Sequence, residues 1–289
     1  MLVRFARLEC RKRLSSERNY WVPMTESHVL PPDQGERMEA GRPYTKFVRR
    51  LESILLLTDD DRAILAQMPT TVRNYRTDQD IVREGDMPSQ CCLLLDGFLY
   101  RHKIANGSTR QIMSFHVPGD IPDLHSLHLN RMDHNLTSLG PTVVAFVPHS
   151  YFREILPRSQ RLTHALWRET LVDSAVFREW VVNVGAREAI ARVAHLLCEI
   201  KLRLQVVGLV QDSTFTIPCR QTDVADACGI TAVHTNRVIQ ELRAKGLIEW
   251  EGKTISILDW DELAKLGDFS PDYLHLLKEN GGIEGARSA

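Results

Sequence analysis

The sequence predicts an α+β protein built from a β-rich N-terminal half, one long helix, and a helical C-terminal part that ends in a hairpin. Short apolar runs alternate with turn dipeptides from about residue 72 to 148. A stretch without Gly or Pro follows at 159–184. Beyond residue 215, two short helical segments precede an alternating apolar pattern. Period-two and helical patterns in this order predict the three parts.

Composition and charge place few limits on function. The chain has 289 residues, which is enough for about two domains, and its 43% hydrophobic and 25% charged residues are typical of a globular protein. Its 36 basic and 37 acidic residues leave a net charge of −1. Because there is no overall basic excess, any surface for nucleic acid must be local.

The sequence favours a cytoplasmic protein without a membrane partner. No apolar run approaches the roughly 20 residues that cross a bilayer. The basic N-terminus lacks the apolar core of a signal peptide. The six cysteines are scattered without a Cys-x-x-Cys pair, which argues against a zinc or iron–sulfur cage and against a disulfide framework.

Residues 1–43 are predicted to be a disordered extension, because they are basic and then rich in Pro, Gly and charge. A weak amphipathic helix near Leu2–Leu14 is the alternative. Met38 precedes the first strongly patterned segment and is a candidate for the native start.

Residues 44–150 are predicted to form a short helical entry followed by a β-barrel or β-roll. Thr58 is a suitable N-cap for a helix whose first turn is acidic. The turn signals are "EGD" at 84–86, "DG" at 96–97, "NG" at 106–107 and "PGD" at 118–120. Asn-Gly between two strand-like runs is a strong hairpin signal.

Residues 151–184 are predicted to be a long helix that pairs with a second copy of the chain. The predicted contact stripe is Leu162, Ala165, Leu166, Val172, Val176 and Trp180. Packing within one chain is the alternative for this stripe. Gly185 is predicted to interrupt the helix and to serve as the hinge to a C-terminal domain at 185–266, which the tail at 267–289 follows.

The C-terminal domain is predicted to contain a helix-turn-helix. Gly229 lies at the turn, and the small residue Ala225 lies four positions earlier, where the second helix must approach closely. Val224, Cys228, Ile230 and Val238 are expected to face the core. Thr231 is the expected N-cap of the second helix, and Thr235 stands where an aliphatic residue is more usual. An ordinary helical hairpin is the alternative.

Two further signals extend this domain. "GLIEWEGKTISIL" alternates around Glu251-Gly252, as a two-stranded ribbon does, and Asp259 is placed to cap a last helix through Leu266. The local charge is basic, because Arg237, Arg243 and Lys245 outnumber Glu241.

The outward side of the helix-turn-helix is predicted to contact double-stranded DNA. Arg237 can reach guanine with two donors, and the N-terminal groups are placed for phosphate. The predicted contact residues are Gln221, Thr222, Thr231, Ala232, Val233, His234, Asn236, Arg237 and Gln240.

From about residue 45 to 262 these features resemble the Crp/Fnr family of bacterial transcription regulators, named for the cyclic-AMP receptor protein and the fumarate–nitrate regulator. The resemblance implies a cyclic-nucleotide-binding-like β-roll that senses a signal, a dimerisation helix, and a winged helix-turn-helix. It also implies a homodimer on a near-palindromic DNA operator, RNA polymerase as a further partner, and no enzymatic activity.

The sequence departs from the family's pattern at two places. Ala232 and Val233 stand where relatives often carry charged residues that read bases, so the operator sequence is left open. In the sensor, Asp123-Leu124 stands at the Gly-Glu position, and Asp133-His134 falls near the Arg-Ser position. Since a carboxylate repels phosphate, we expect cyclic AMP to bind weakly or not at all.

The resulting candidate effector pocket consists of Asp123, Leu124, Arg131, Asp133 and His134. Arg131 is a nearby replacement for the missing phosphate-binding arginine. The cysteine cluster of the iron–sulfur members is absent, no cofactor is predicted, and the sequence identifies no effector.

The same segment concentrates histidine and aspartate, with Asp123, His125, His128, Asp133 and His134 lying within twelve residues. Metal binding and a response to pH are alternatives, but the sequence favours solvated loop residues with one or two hydrogen-bonded histidines and therefore predicts no metal. Cys91 and Cys92 are expected to be buried in a strand. A sensor acting through protein contacts is the second functional hypothesis, and an enzyme using this cluster ranks last.

Overall fold

A computed structural model describes residues 44–277. Its helices are α1 Thr45–Glu52, α2 Asp59–Ala66, α3 His149–Ile155, α4 Gln160–Ala186, α5 Ala189–Val206, α6 Gln221–Cys228, α7 Ala232–Ala244 and α8 Trp260–Leu266. Its strands are β1 Thr71–Tyr75, β2 Asp80–Val82, β3 Gln90–Asp96, β4 Leu99–Ala105, β5 Thr109–His116, β6 Asn135–Ser138, β7 Thr142–Pro148, β8 Thr214–Thr216, β9 Ile248–Glu251 and β10 Thr254–Ile257. The predicted extension at 1–43, with its alternative helix at Leu2–Leu14, lies outside the described residues.

The N-terminal strands form the predicted β-roll from two antiparallel sheets. One sheet has the order β1-β7-β3, and the other has the order β2-β6-β4-β5. Their facing side chains build a small apolar core that includes Cys92, Leu99 and Val144. Cys91 and Cys92 are fully buried, as predicted.

The turn dipeptides of the sequence form the predicted turns. Gly85, Gly97, Gly107 and Gly119 all have positive φ. At Gly97 a Cβ atom would clash with the backbone carbonyl of Pro141, so glycine is required there for space as well as for conformation. The turn at Asn106-Gly107 joins the paired strands β4 and β5 and so sets their register.

Helices close one side of the roll. Thr58 caps α2 with a complete capping box, since its side chain accepts from Asp61 N while the Asp61 carboxylate accepts from Thr58 N. Phe47 and Phe152 are buried against β3 and β7 in a second apolar cluster. The N-terminal end of α4 completes this cluster through Leu162 and Leu166.

The long helix α4 differs from its prediction in three respects. It begins at Gln160, because residues 151–155 belong to the separate short helix α3. The predicted contact stripe, which runs from Leu162 to Trp180, is at most 4% exposed and packs within its own chain, and a different face is exposed. The helix also continues through Gly185 and ends at Ala186, and the backbone of the next residue, Arg187, is extended. Gly185 is tolerated in the last turn because the free-energy penalty of glycine is smaller at a helix end than in a helix interior.

The C-terminal part forms a winged helix-turn-helix. Helices α6 and α7 pack on α5, and the sheet order β8-β10-β9 places the predicted ribbon at one edge. Asp259 caps α8 through Glu262 N, and Thr231 caps α7 through His234 N, as predicted.

The roll and the C-terminal part share one continuous apolar core. Phe115 of β5 packs edge-on against Trp180 of α4, with ring centroids 6.0 Å apart. The same cluster includes Leu197 of α5 and Val224 of α6. Arg110 of β5 adds ion pairs to Asp223 (2.6 Å) and Asp226 (2.7 Å) of α6. The helix-turn-helix is therefore docked on the β-roll.

The described part of the tail returns to the N-terminal half. Leu277 N donates to Ser53 O at 2.7 Å, after a 3₁₀ turn at Pro271–Leu274. Across residues 44–277, no helix is both long enough and apolar enough to cross a membrane.

Candidate nucleic-acid interface and sensor cavity

The helix-turn-helix is held by one left-handed residue and a small-residue contact. Gly229 has φ 64° and ψ 38°, which ends α6. Ile230 N then donates to Ala225 O at 3.1 Å. Val224, Cys228 and Val238 are buried as predicted, while Ile230 is half-buried against the same core.

Thr235 is fully buried, although its hydroxyl is polar. The hydroxyl donates to Thr231 O one turn earlier at 3.1 Å, so the polar group has a partner inside the helix. The departure from an aliphatic residue therefore leaves no unsatisfied donor at this position.

The predicted reading face of α7 is exposed. Val233, His234, Asn236, Arg237 and Gln240 all face outward, and Val233 is 66% exposed. Ala232 differs, because it is half-buried at the first turn of the helix.

The structure brings the two halves of the predicted interface together. Asn236 Nδ2 donates to Gln221 Oε1 at 3.2 Å, which joins α7 to the N-terminus of α6. Thr222 is exposed beside Gln221. Among residues 44–277, Arg237 has no hydrogen-bond or ion-pair partner, so its guanidinium is available to a ligand.

A second site is a cavity of about 490 Å³ between the roll and α4. Its walls come from β4, β5, the segment 120–134, and one face of α4. Nine of its lining residues are charged: Arg50, Arg101, Lys103, Asp120, Asp133, Glu169, Asp173, Arg178 and Arg203.

Carboxylates already pair most of the cavity's cations. Arg101 Nη1 lies 3.0 Å from Asp173 Oδ2, and Arg101 Nη2 donates to Pro122 O at 2.6 Å. Lys103 pairs with Glu84. Among the described residues, Arg178 is the lining cation without an ion-pair partner.

A buried charge network joins the cavity floor to the helices. Arg203 of α5 lies 2.6 Å from Asp120, and Arg50 of α1 lies 3.0 Å from Glu169 of α4. Burial alone would raise the pKa of Asp120, but the Arg203 guanidinium and a hydrogen bond to His116 hold it well below its usual range. Burial raises the pKa of Glu169.

Two of the predicted effector-pocket residues do not line the cavity. Asp123 is 1% exposed and faces the roll interior, where its Oδ1 accepts from Cys92 N at 2.8 Å. Arg131 is exposed and donates to Gly85 O at 3.1 Å. The backbone of Met132 pairs with the turn at 85–86, and the neighbouring Arg131 side chain lies at the surface rather than in the cavity.

Leu124, Asp133 and His134 do line the cavity, and His125 joins them. His134 Nδ1 lies 2.6 Å from Asp133 Oδ1, and the rings of His125 and His134 are 5.3 Å apart. Burial, and then the Arg101 guanidinium, lower the pKa of His134 to about 4. The same causes lower the pKa of His125, whereas His128 is exposed outside this group.

Sequence reasoning missed the cavity's main ion pair and the exposed face of α4. Arg101 lies in a strand that also carries His102 and Lys103, so the sequence did not single it out as a buried charge. The exposed face carries Trp167, Leu171 and Val181, whose spacing of four and ten residues also follows the helix repeat. Polar residues between them concealed that pattern.

Comparison with known proteins supports the assignment of both the β-roll and the C-terminal helix-turn-helix. Residues 72–159 match the cyclic nucleotide-binding domain, and residues 191–266 match the Crp-like helix-turn-helix domain. The chain is 23% identical over 208 residues to the transcriptional activator protein FnrA of Stutzerimonas stutzeri, covering 71% of this chain and 84% of FnrA.

Solved structures show the same fold. FixK2 from Bradyrhizobium japonicum superposes with a TM-score of 0.62 at 22% identity, covering 69% of this chain and 98% of FixK2. A CRP-family transcriptional regulator from Thermus thermophilus, TTHB099, gives a TM-score of 0.53 at 18% identity, covering 68% of this chain and 97% of that one.

A nucleotide-binding-type β-roll joined by a long helix to a winged helix-turn-helix defines a class of transcription regulators that carry both domains in one polypeptide. The chain belongs to the Crp/Fnr family of that class. Its helix-turn-helix is a DNA-binding domain of the Crp type.

Proposed function

We propose that the protein is a homodimeric, sequence-specific DNA-binding regulator of transcription whose β-roll senses a signal other than cyclic AMP. The exposed face of α7, on which Arg237 has no partner among the described residues, carries this proposal. Arg237 lies at its centre with Asn236 and Gln240 beside it, and each side chain can donate to base edges in a major groove.

Dimerisation is supported by the exposed face of α4. Trp167, Leu171, Ser174, Arg178, Val181 and Gly185 follow one another at spacings of four, three, four, three and four residues. All six are exposed. This is the heptad spacing of a two-helix seam. A second copy of the same helix fits this spacing, and a symmetric pair would present two α7 helices to a near-palindromic operator.

The cavity argues against cyclic AMP as the signal. A phosphate requires free donors and positive charge, but Asp133 lies on the wall, Arg101 is already paired with Asp173, and among the described residues Arg178 is the one lining cation without an ion-pair partner. A thermal-shift titration tests this, because binding at concentrations far above Kd would stabilise the chain by several kcal/mol. A large stabilisation by cyclic AMP would contradict this part of the proposal.

DNA binding is tested by fluorescence anisotropy with operator fragments selected from bacterial genomic DNA. We expect salt-sensitive binding, because phosphate contacts release counterions. Arg237→Ala should cost about 1–3 kcal/mol and relax the base preference at one position of each half-site. Arg153→Ala, which removes an exposed arginine from α3, is the matched control and should leave affinity and preference unchanged.

Three outcomes separate the alternatives. Unchanged affinity and preference in the Arg237→Ala protein would remove the reading role from that residue. Absence of specific DNA binding, together with a protein partner that captures the winged helix, would favour a sensor that acts through protein contacts. Binding to RNA polymerase on an operator fragment would support RNA polymerase as the further partner that the family implies. A DNA-binding regulator of this family would act in the bacterial cytoplasm.

A further inference from the structure

The wall of the sensor cavity contains a group of three potential metal ligands on two chain segments. His125 lies in the 3₁₀ turn Leu124–Leu127, and Asp133 and His134 directly precede β6. One ligand atom from each side chain lies within 4.8 Å of the others. Tetrahedral zinc with bonds of about 2.0–2.1 Å needs ligand atoms roughly 3.4 Å apart, which small side-chain rotations can reach.

The two imidazoles have unused nitrogen atoms in buried positions. Nε2 of His125 and Nε2 of His134 are both buried without a hydrogen-bond partner among the described residues. His134 as a whole is only 5% exposed. Buried polar atoms of this kind normally have partners, so two on facing rings point to a ligand that binds both.

The tautomer of His134 suits a metal. An ionised Asp133 can only accept a hydrogen bond, so its contact of 2.6 Å requires the proton on Nδ1 of His134. Nε2 is then left with a free lone pair. A carboxylate that holds the far nitrogen of a metal-binding histidine is a recurring arrangement, because it orients the ring and raises its basicity.

The surrounding charge is compatible with a cation. The Arg101 guanidinium, which also lines the cavity, is paired with Asp173 on α4. The Asp133 side chain is 80% exposed, so it provides a route for an ion from solvent. The remaining coordination positions would face the cavity, where water or a small-molecule ligand can enter.

We propose that the Nε2 atoms of His125 and His134, with Asp133 holding the His134 ring through Nδ1, bind a divalent first-row transition metal such as Zn²⁺ at the sensor cavity. The site is separate from the DNA-reading face. Its occupancy adds two positive charges to the cavity that Asp173 of α4 also lines.

Metal binding is measured on the free, untagged full-length chain after chelator treatment and dialysis, with Zn²⁺ by calorimetry and Co²⁺ by visible absorption. We expect about one ion per chain at this site, and an intense d–d spectrum if the site is tetrahedral. His125→Gln and His134→Gln should each lower the affinity by at least about tenfold, and Asp133→Asn by about 10–100-fold.

Two neighbouring histidines provide controls. His128→Gln and His164→Gln change exposed imidazoles outside the group and should leave Zn²⁺ affinity unchanged. If circular dichroism shows that the buried variants fold poorly, NMR of histidine-labelled wild-type protein still tests the proposal. Co²⁺ should then shift or broaden the imidazole resonances of His125 and His134 before the others. No binding by the wild type, or equal binding by the His125→Gln/His134→Gln double variant, would overturn it. Because no DNA is present, the result is independent of the proposed DNA binding.

Discussion

At the residue scale, Asp123 shows how burial changes the chemistry of a side chain. The sequence placed it in an effector pocket, but the carboxyl lies inside the roll with Cys92 N as its donor. Burial raises its pKa from 3.8 to about 7. One carboxylate oxygen, Oδ2, has no partner among the described residues. Asp123 is therefore a structural group that resists ionisation.

This shift predicts a pH dependence of stability with a definite sign. The folded chain binds the Asp123 proton more tightly than the unfolded chain, so stability falls as the pH rises from about 3.8 towards about 7. Asp123→Asn keeps an acceptor for Cys92 N and removes the ionisation. Between about pH 5.5 and about pH 8, the stability of the variant relative to the wild type should rise by about 2 kcal/mol.

Urea unfolding at both pH values measures this difference, and subtracting the wild-type curve cancels the other titrating groups. Asp212→Asn, at an exposed carboxyl in a turn, is the control and should show no such change. A pH-independent difference for Asp123→Asn would mean that the buried carboxyl is not protonated in the folded chain.

At the element scale, α4 has two apolar faces with different partners. The face that includes Leu166, Val176 and Trp180 is buried in its own chain. The opposite face leaves Trp167 61% exposed and Leu171 53% exposed. A stripe of large apolar side chains in contact with water is costly unless it is covered, and the heptad spacing matches a second α4.

Leu171→Glu should therefore weaken self-association without unfolding the chain. A charge in the middle of an apolar seam opposes its copy across the symmetry axis, so we expect the dimer Kd to rise at least about tenfold. Sedimentation velocity across a concentration series measures the change, and circular dichroism checks the fold. Leu56→Glu, which alters an equally exposed leucine between α1 and α2, should leave the sedimentation coefficient unchanged.

At the scale of the whole molecule, the structure docks the helix-turn-helix on the roll. Arg110 reaches from β5 to Asp223 and Asp226 on α6, and its guanidinium also lies over the Tyr100 ring at 5.1 Å. Asp223 is fully buried, so its carboxylate depends on partners. Burial alone would raise the pKa of Asp223, but hydrogen bonds from Arg220 and Arg110 lower it.

Arg110→Met should loosen this contact, because it keeps the aliphatic stem and removes the charge. We expect a loss of about 1–3 kcal/mol from the free energy of unfolding, since a buried carboxylate loses one of its partners. Hydrogen exchange should also increase in α6 relative to α5. Arg83→Met, which breaks an exposed pair with Asp80, should have little effect on either measurement.

Local features were predictable because they depend on neighbouring residues. Thr58, Thr231 and Asp259 were identified as helix caps, and the Gly-containing dipeptides as turns, since capping and left-handed backbone are decided within a few positions. The exposed face of α7 followed from its period and from the offset to Gly229. The sequence by itself thus determined the family, the order of the parts, and the residues that face DNA in our proposal.

Only the tertiary structure decided which surfaces meet. Both faces of α4 carry apolar side chains, so its periodicity could not show which face is buried within the chain. The structure shows that the face from Leu162 to Trp180 is buried and that the face with Trp167 is exposed. Likewise, Asp123 and His134 are close in sequence, but Asp123 faces the interior of the roll whereas His134 lines the cavity. Whether a charged side chain is buried, paired or free depends on segments far apart in the chain, such as Arg101 with Asp173 and Arg203 with Asp120.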